Sequence, residues 1–577
     1  MKQVTFALNN PNAGTRLWIE KEWAEGEILY AELRFVSAVA ITPKAFSVTF
    51  SIPSVDMHSV WSPQTDANGM RKLGPNWKKK VTNSRFAHGL PVHSVLSAAG
   101  KNRITIAVSD VKTPLSIGTG ISEERAELDC KVVFFTQITA PLCEYSAVLR
   151  LDMRDIPFYE SIPHTVTWWE EEYGLRPMPV PEAAREAVDS LWYSFHQALD
   201  TETILKECRL HKPYGVKTVI LDDGWQTENN NRGYAYCGDW ELATAKIPDM
   251  RKLADEIHKL EMKLMLWYSV PYMGIRAKKY TQFHGKYLYV DQHRGIAALD
   301  PRYACVRQYL VQQYETAVRN WDLDGLKLDF VNAFRLTEDT PVDDPEMDVV
   351  SLEEAIERLL QEVTTRLRQL KPELLIEFRQ GYIGPAMRSY GNMLRAADCP
   401  NDVLSNKTAV LDLRLTSGKT PVHSDMLMWH PDEPAEKAAL QLASVLFAVP
   451  QISVRMEAIS LEQKEMLSYY LNFWQKNRKL LLDGTLRLWD PQAFYSKASA
   501  QLEGESITVL YTDTVVQKET EKTTAVNCGP ERKIYFDDFA DAFYRIVDCR
   551  GREVARGVLQ KLTALVVPCA GMVLIEP

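Results

Sequence analysis

The sequence predicts an α/β chain whose centre is a (β/α)₈ TIM barrel, flanked by an N-terminal β-sandwich and a small C-terminal antiparallel β-domain. Alternating apolar and polar runs fill residues 1–165, a strand–loop–helix rhythm repeats over 166–482, and alternation returns over 483–577. A chain of 577 residues is too long for one compact core. We therefore expect three domains with these boundaries.

The first region contains short strand-like runs bounded by turn residues, such as ILYAELRFV at 28–36, AFSVTFSI at 45–52 and CKVVFFTQI at 130–138. Alternation of this kind is typical of antiparallel sheets that bury one face and expose the other. A β-sandwich is the expected result. The proline-bearing stretch LRPMPVPEAA at 175–184 then marks a change of pattern.

The central region contains eight apolar segments that are candidates for parallel, buried strands. They lie at 190–197, 216–225, 262–270, 324–331, 374–379, 392–398, 420–428 and 450–455. Helical patterns lie between most of them, although the sixth intervening helix is poorly marked. Eight βα units in about 290 residues match the requirement of a closed barrel. A doubly wound sheet is the alternative.

The last region begins after the amphipathic helix predicted at 461–482. Alternating runs such as ESITVLYTD, ERKIYFDDF and GMVLIEP follow it. They predict a small β-domain at the C-terminus.

Composition limits the class of function. The formal net charge of -9 argues against a nucleic-acid or anionic-membrane partner. No stretch approaches the ~20 apolar residues of a membrane helix, and the N-terminus lacks the apolar core of a signal peptide. Nine scattered cysteines without CxxC spacing suit a reducing compartment rather than disulfides or structural zinc. We expect a cytoplasmic protein that needs no cofactor.

Polar and aromatic residues stand at the predicted C-terminal strand ends, where the active site of such a barrel lies. They are Asp222, Asp223, Trp225, Trp267, Lys327, Asp329, Glu377, Arg379, Arg395, Asp398, His423, Ser424 and Asp425. Aromatic rings cover the apolar face of a sugar, and carboxylates accept hydrogen bonds from its hydroxyl groups. The set predicts a carbohydrate site.

The segment DGLKLDFV at 324–331 places Lys327 and Asp329 on one face of a buried strand. A structural ion pair explains this pattern, and so does a catalytic carboxylate that a nearby cation keeps ionised. A retaining glycosidase needs such a nucleophile together with a second carboxyl group that is mostly protonated at rest. Asp398, which follows two alanines, is the candidate for the second group. From these residues alone both explanations stay open.

The run LDDGWQ…GDWELATAKIPDMRKLADEIHKLEMKLMLWYSVP at 221–271, followed by LKLDF, resembles the catalytic barrel of glycoside hydrolase family 36. This is the α-galactosidase-like family, allied to the family 27 α-galactosidases and α-N-acetylgalactosaminidases. The resemblance covers roughly residues 165–480. Its specific part is the order of DDGW, GDW…K.P, the LW pair and K.D.

The resemblance implies that Asp329 is the nucleophile and Asp398 the acid/base of a retaining double displacement. It also implies a set of sugar-binding residues. Asp222 and Asp223 would bind the 4- and 6-hydroxyls, Lys327 the ring hydroxyls near the nucleophile, and Trp267 the glycone, with Trp192 a weaker match. Arg395 resembles the arginine that precedes the acid/base in family 27. Trp225 and Arg379, from the strand ends, complete the predicted substrate-binding set.

The chain departs from family 36 between the fifth and sixth strands. The usual Cys-Ser-Ser-Gly-Gly run is replaced by Arg379, Gln380, Gly381 and Tyr382. Because this segment normally surrounds the sugar 2-position, preference there stays open. Asp402 competes with Asp398 for the acid/base role.

Two further residue patterns allow more than one interpretation. His423 and Asp425 share a strand face, which suggests either metal ligation or support of the pocket; without a third ligand, no metal site is predicted. Trp61 is a candidate to reach over the barrel mouth from the first domain, or an ordinary core tryptophan.

These patterns together predict a retaining exo-acting α-galactosidase whose partner is an oligosaccharide or another α-galactoside. The alternatives are an α-N-acetylgalactosaminidase, a galactosyl-transferring relative of the raffinose-synthase type and, from another class, a non-catalytic sugar-binding protein. Assembly into a homo-oligomer is left open.

Overall fold

The computed structural model of the protein describes residues 4–63, 71–341 and 344–576. Within these ranges the chain forms an N-terminal β-sandwich, a parallel barrel surrounded by helices and a C-terminal β-domain. The fold class predicted from the sequence is confirmed.

The N-terminal sandwich consists of two antiparallel sheets. Its strands are β1 (Ala7–Asn9), β2 (Thr15–Glu25), β3 (Ile28–Ile41), β4 (Phe46–Pro53), β5 (Ser59–Trp61), β6 (Lys80–Ser84), β7 (Val92–Leu96), β8 (Asn102–Val108), β9 (Leu115–Ser122), β10 (Glu127–Phe134) and β11 (Leu142–Asp152). One sheet has the order β1-β4-β10-β9-β6 and the other β2-β3-β11-β8-β7-β5. Alternation sets the layers: in β10, Leu128, Val132 and Phe134 are buried between the sheets, while intervening residues are partly exposed.

The central region supplies the strands of the barrel and a small inserted sheet. These strands are β12 (Val188–Ser190), β13 (Thr218–Leu221), β14 (Lys263–Ser269), β15 (Tyr272–Gly274), β16 (Tyr287–Asp291), β17 (Ile296–Leu299), β18 (Gly325–Asp329), β19 (Leu375–Arg379), β20 (Met393–Arg395), β21 (Val422–His423) and β22 (Gln451–Ile452). The parallel sheet runs β12-β13-β14-β18-β19-β20-β21, with β22 beside β12. Parallel bridges from His423 to Val449 and from Leu427 to Ile452 join the two ends, so the sheet closes. Strands β15, β17 and β16 form the inserted sheet.

The helices surround this barrel. They are α1 (Phe158–Glu172), α2 (Trp192–Phe195), α3 (Thr201–His211), α4 (Met250–Lys259), α5 (Ala304–Trp321), α6 (Leu352–Leu370), α7 (Val403–Thr416), α8 (Ala435–Ala443) and α9 (Leu461–Asp483). Short 3₁₀ turns lie at Asn76–Lys78, Glu182–Arg185, Lys212–Tyr214, Tyr280–Phe283, Val331–Ala333, Met387–Ser389 and Pro491–Ala493. Helix α1 contains residue 165 and connects the sandwich to the barrel. No helix in the described ranges combines the length and apolarity needed to cross a bilayer.

The first barrel strand differs from the prediction. The segment predicted as a strand at 190–197 is mostly a loop and the single turn α2, and the strand itself ends at Ser190. The apolar residues of this segment pack at the mouth of the barrel rather than in its wall. The other seven predicted segments each contain a barrel strand, shorter than the apolar run that predicted it.

The poorly marked sixth helix is α7, and its burial explains the weak pattern. Most of its side chains are buried, including the charged Lys407 and Asp412. The Asp412 carboxylate accepts hydrogen bonds from Trp61 Nε1 (2.9 Å) and Arg71 Nη2 (2.5 Å) of the sandwich region and from the Tyr495 hydroxyl of the C-terminal domain. A helix covered on several sides lacks the polar face on which an amphipathic pattern depends. Trp61 therefore lies in this interdomain contact, away from the barrel mouth.

The C-terminal domain has two sheets. Its strands are β23 (Thr485–Trp489), β24 (Lys497–Leu502), β25 (Glu505–Leu510), β26 (Val515–Gln517), β27 (Lys522–Asn527), β28 (Lys533–Asp537), β29 (Phe543–Val547), β30 (Glu553–Val558), β31 (Leu562–Val566) and β32 (Met572–Glu576). The larger sheet runs β23-β24-β25-β27-β32-β29-β30 and the smaller β26-β28-β31. Pairing is antiparallel except between β25 and β27 and between β26 and β28.

Candidate active site

Asp329 is the last residue of β18, at the C-terminal end of the fourth barrel strand. Its Oδ1 accepts hydrogen bonds from Arg379 Nε (2.7 Å), the Tyr382 hydroxyl (2.8 Å) and the Phe330 backbone N–H (2.8 Å). Its Oδ2 accepts one from Trp267 Nε1 (3.0 Å). The carboxylate is buried, and hydrogen-bond donors from four residues hold both of its oxygen atoms in place.

The protonation state of Asp329 follows from competing effects. Burial alone would raise its pKa, but the charges of Arg379 and Lys327 and the hydrogen bonds from Trp267 and Tyr382 bring the pKa below the ordinary value. The side chain is therefore ionised at neutral pH, as a nucleophile requires.

Lys327 does not form the ion pair with Asp329 that the sequence suggested. Its Nζ lies 2.5 Å from Oδ2 of Asp222, the residue after the second barrel strand, and acts on Asp329 only through its charge. The structural-pair interpretation of DGLKLDFV is corrected accordingly. Both side chains are buried, and β14 lies between the strands that position them.

Asp223 lies beside this pair and accepts from two amide groups. Gln197 Nε2 donates to Oδ2 (2.7 Å) and Gln226 Nε2 to Oδ1 (2.6 Å). Burial raises the pKa of Asp223 to about 6, and the charge of Asp222 adds to this effect, although the two glutamines oppose it. The following Gly224 has φ +124°, and a Cβ there would lie 2.6 Å from Gln197 Cα. The glycine of the DDGW motif thus permits the close approach that positions Gln197.

Asp398 follows the sixth strand and is held by Arg395. Arg395 Nη2 donates to Asp398 Oδ1 (2.7 Å), Nη1 donates to Asp425, and Nε lies 3.4 Å from Glu377 Oε1. Asp398 has 46% of its side chain exposed, whereas Arg395 and Asp425 are buried. The Arg395 guanidinium therefore bridges the half-exposed carboxylate of Asp398 and the buried carboxylate of Asp425.

The expectation that Asp398 rests protonated is not met. Burial acts to raise its pKa, but Arg395, Arg379 and Lys327 together lower it. The competing Asp402 has another role: it is the N-cap of α7, and its carboxylate accepts from the Ser405 N–H (3.0 Å) and hydroxyl (2.6 Å). Of Asp398 and Asp402, only Asp398 forms an ion pair with Arg395.

Aromatic residues line one side of the same region. Trp267 is buried, donates to Asp329 and stacks on Tyr234, with ring centroids 6.1 Å apart. The Phe330 ring packs edge-on to Tyr234, at 5.1 Å. Trp225, by contrast, is fully buried and donates to the Trp267 carbonyl (2.9 Å). It supports Trp267 from behind, so its predicted place in contact with substrate is corrected.

The remaining predicted residues lie in different places. Trp192 begins the α2 turn and packs edge-on to His196, with centroids 4.7 Å apart. Arg379 contacts Asp329 and lies over the Phe330 ring. His423 is buried and hydrogen-bonds the Ala184 carbonyl (2.8 Å), before the first strand; burial lowers its pKa to about 4. The Nε2 atom of His423 thus hydrogen-bonds a backbone carbonyl group rather than a strand-end carboxylate.

Several functional neighbours were not assigned from the sequence: Tyr382, Gln197, Gln226, Tyr193 and Tyr234. Tyr193 lies in the single turn α2 and the other four on loops, where no periodic pattern marks which side chains point inward. Tyr382 carried a partial signal, because it stands in the segment that departs from family 36. That segment is also held by the sandwich, since the Gly89 N–H donates to the Gly381 carbonyl (2.7 Å).

The described part of the chain contains no group of three or more His, Cys, Asp or Glu side chains arranged to hold a metal ion. What the strand ends bring together is carboxylates, cations and aromatic rings. Such a set can bind hydroxyl groups and transfer a proton between oxygen atoms.

Residues 184–373 match the family model described as Melibiase. The matched region contains Asp222, Asp223, Trp267, Lys327 and Asp329 and ends before Asp398. It therefore covers the first half of the barrel.

Two curated relatives share parts of the sequence. Alpha-galactosidase 2 of Pediococcus pentosaceus is 30% identical over 172 residues, which are 28% of this chain and 23% of that protein. A type blood alpha-D-galactosamine galactosaminidase of Flavonifractor plautii is 31% identical over 136 residues, 20% of this chain and 12% of that protein. The chain thus spans less than a quarter of each of these relatives.

The fold is similar to solved family 36 structures over nearly the whole chain. The GH36 alpha-galactosidase AgaA from Geobacillus stearothermophilus superposes with a TM-score of 0.65 at 14% identity, covering 100% of this chain and 86% of that one. The alpha-galactosidase from Lactobacillus brevis gives 0.64 at 12% identity, covering 100% and 85%. At these identities the likeness establishes the fold. The chain thus resembles the glycoside hydrolase family 36, α-galactosidase-like proteins: about a third of it matches the Melibiase model, and the whole shares their fold.

Proposed function

We propose that this chain is a retaining, exo-acting α-galactosidase that hydrolyses terminal α-linked galactosides by double displacement. The observation that carries the proposal is the ionised, donor-fixed carboxylate of Asp329 at a barrel strand end, with the half-exposed Asp398 two strands away. The family-model match and the curated α-galactosidase relative support the substrate class.

In the first step, Asp329 would attack the anomeric carbon while Asp398 gives its proton to the departing oxygen. Oδ2 is the better-suited attacking oxygen, because it accepts only the Trp267 hydrogen bond whereas Oδ1 accepts three. A carbon–oxygen bond to Asp329 forms as the glycosidic bond breaks. Water, deprotonated by Asp398, then releases galactose with the original anomeric configuration.

The acid role requires Asp398 to gain a proton despite its lowered pKa. A bound sugar would cover the exposed half of the side chain and remove water, which raises a carboxyl pKa. Once Asp329 is an ester its negative charge is gone, and that charge is one of the effects that raise the Asp398 pKa. The pKa of Asp398 therefore falls after the first step, as a change from acid to base demands.

Recognition of galactose would fall to the buried end of the site. Asp222, paired with Lys327, and Asp223, held by two glutamines, present carboxylate oxygens to sugar hydroxyls. These groups end in the barrel interior, so the site suits a terminal sugar rather than a chain passing through.

Hydrolysis of a nitrophenyl α-galactoside by the purified protein tests the proposal. Asp329→Asn is expected to lower kcat/KM by more than about three orders of magnitude, and the first product seen by NMR should be α-galactose. Unchanged turnover in Asp329→Asn would instead support a non-catalytic sugar-binding protein. Transfer to an added acceptor sugar in excess of hydrolysis would support the raffinose-synthase-type alternative.

A second candidate concerns the sugar 2-position, because the Flavonifractor relative is named a galactosaminidase. The Arg379–Tyr382 segment replaces the family 36 run expected there. The Arg379 cation disfavours a 2-ammonium group through charge repulsion, so we rank the galactoside first. Comparison of nitrophenyl α-galactoside with its 2-amino and 2-acetamido counterparts decides between them.

A cytoplasmic location is part of the same proposal. All nine cysteines are free, although several are exposed or partly exposed. Such a set suits a reducing compartment.

A further inference from the structure

Four exposed arginines stand on loops that follow the barrel strands at their C-terminal ends. Arg232 follows the second strand, Arg294 lies in the insertion after the third, Arg335 follows the fourth and Arg455 the eighth. We call these four residues the arginine rim. Within the described ranges, none of the four has a carboxylate oxygen within 4.0 Å of its guanidinium.

Several exposed arginines on the outer helices have carboxylate partners, although Arg209 on α3 has none within 4.0 Å among the described residues. On the outer helices Arg251 pairs with Asp255 (3.0 Å), Arg319 with Glu315 (2.5 Å) and Arg358 with Glu354 (2.5 Å). The chain carries 76 acidic residues against 67 basic ones, so acidic partners are abundant. Against this acidic composition, the four arginines of the rim lie on one face of the barrel without a carboxylate partner in the part of the chain that the structure describes.

Arg232 and Arg455 lie on the side of the rim nearest Asp223. The Arg232 backbone N–H donates to Gln197 Oε1 (2.7 Å), and Gln197 donates to Asp223. Arg232 Nη2 donates to His196 (2.6 Å), and the pKa of His196, already lowered by desolvation, is lowered further by Arg232 and Arg455. Arg455 lies over the Phe195 ring, 4.8 Å from its centroid. These two cations thus lie at the barrel mouth on the side of Asp223.

Arg294 and Arg335 lie on the opposite side, above aromatic rings. The Arg294 guanidinium is 5.7 Å from the Tyr234 ring and 5.1 Å from that of Tyr272. Tyr234 stacks on Trp267, which donates to Asp329, so one ring separates Arg294 from the tryptophan of the site. Arg335 lies 4.7 Å from the Tyr289 ring. The nearby Asp291 accepts from the Arg294 backbone N–H rather than from its guanidinium.

Aromatic contacts hold the guanidinium groups of Arg294, Arg335 and Arg455 in place without neutralising them, and His196 accepts from that of Arg232. A planar guanidinium recognises carboxylate, sulfate or phosphate through paired hydrogen bonds and is weakly hydrated for a cation. The site is therefore polarised: carboxylates at the buried end and unpaired cations at the open end. The buried end suits a neutral sugar, and the open end suits an anion.

We propose that the arginine rim binds an oxyanion group, a carboxylate, sulfate or phosphate, carried by the unit to which the terminal galactose is attached. The natural substrate is then an acidic α-galactoside, with galactose in the barrel and the anion among the arginines. This inference rests on the proposed function, because it assigns the leaving group of the same reaction.

A matched pair of substrates tests the inference. One is a nitrophenyl α-galactoside bearing a ring carboxylate and the other is its methyl ester, so charge is the principal difference. The wild-type ratio of kcat/KM, acid over ester, is expected to be about tenfold higher than in Arg232→Gln/Arg455→Gln or in Arg294→Gln/Arg335→Gln. Arg16→Gln, an exposed sandwich arginine that lies over Trp18, should leave the ratio unchanged. A sulfated analogue distinguishes a general oxyanion site from one selective for carboxylate.

Salt supplies a second measurement. Added NaCl should raise KM for the acid but not for the ester. Equal ratios in wild type and both double variants, or a ratio that is insensitive to salt, would overturn the inference even if both substrates are hydrolysed.

Calorimetry with Asp329→Asn separates this inference from the proposed function. If the wild-type protein hydrolyses no α-galactoside, the proposed function fails. Tighter binding of the acid than of the ester, lost in the rim variants, would still support the anion site, and equal binding would overturn it.

Discussion

Arg395 donates a hydrogen bond from Nη2 to Oδ1 of Asp398 over 2.7 Å, and against the effect of burial its charge is the chief influence that lowers the pKa of this predicted acid/base. The same guanidinium contacts Asp425 and lies 3.4 Å from Glu377. One cation is thus shared among three carboxylates. The effect of this cation on the pKa of Asp398 therefore depends on the two other carboxylates, Asp425 and Glu377.

Replacement of Asp425 tests this sharing. In Asp425→Asn the guanidinium has one anion fewer, so it acts more strongly on Asp398 and lowers that pKa further. Less Asp398 is protonated at neutral pH, and kcat/KM should fall about tenfold if the pKa of Asp398 drops by about one. The loss should be large for alkyl galactosides, whose leaving oxygen needs a proton, and small for dinitrophenyl galactoside.

Tyr193→Phe is the matched control, because it removes a hydrogen bond to Asp425 (3.0 Å) but no charge. Equal losses for both leaving groups in Asp425→Asn would indicate misfolding or misplacement of the pocket instead of a changed proton donor.

The pH profile should report Asp223. Its pKa is about 6, raised chiefly by burial, so the carboxylate that we propose as an acceptor for sugar hydroxyls is lost as pH falls through that value. We expect an acidic limb of kcat/KM near pH 6, with activity higher above it. Asp223→Asn should remove this limb and lower kcat/KM, and Gln226→Leu, which deletes a donor, should move the limb to higher pH. A limb that persists unchanged in Asp223→Asn would assign it to another group.

Tyr382 should act on the second half of the reaction. Its hydroxyl donates to Asp329 Oδ1 (2.8 Å), and this bond stabilises the carboxylate that departs when the galactosyl ester is hydrolysed. Tyr382→Phe should slow that step about tenfold, so that the ester accumulates and a burst of dinitrophenol precedes the steady state. Tyr390→Phe, whose hydroxyl donates to Glu357 on the outer helix, should give no burst. Absence of a burst in both variants would contradict this role.

Sequence patterns predicted the barrel well because each strand is marked by its own apolar run. Seven of the eight segments contained their strand. The prediction of the first strand was wrong because the apolar residues of that segment belong to the α2 turn at the barrel mouth. Local hydrophobicity does not distinguish residues of a barrel strand from residues packed at its mouth. Helix α7 was weakly marked for a related reason: flanking domains, absent from any local window, cover its outer face.

Side-chain partners were harder to predict than strands. Lys327 and Asp329 share a strand face, but the partner of Lys327 is Asp222, which follows another strand. The register between strands and the side-chain rotamers determine such pairs. Neither can be predicted from the spacing of residues along one segment. Trp225 shows the same limit, since its position after Asp223 suggested the pocket while its ring lies in the core.

The contact that joins the three domains should govern stability. Arg71 and Asp412 are buried and lie 2.5 Å apart, with Trp61 and Tyr495 also donating to the carboxylate. Arg71→Leu leaves a buried anion without its cation and should lower the free energy of unfolding by about 3–5 kcal/mol. Urea denaturation measures this loss.

Arg251→Gln breaks only an exposed pair with Asp255 and serves as the control, with an expected loss of about 0–1 kcal/mol. A loss in Arg71→Leu no larger than in this control would show that the buried contact does not stabilise the fold.

Azide rescue tests the assignment of Asp329 and Asp398 most directly. With an activated aryl α-galactoside, azide added to Asp329→Gly should restore turnover and yield the β-galactosyl azide, because azide occupies the face that the nucleophile has vacated. Azide added to Asp398→Gly should yield the α-azide, formed by attack on the galactosyl ester. The account predicts this pair of anomers; the opposite pair, or no rescue in Asp329→Gly by any anion, would contradict it.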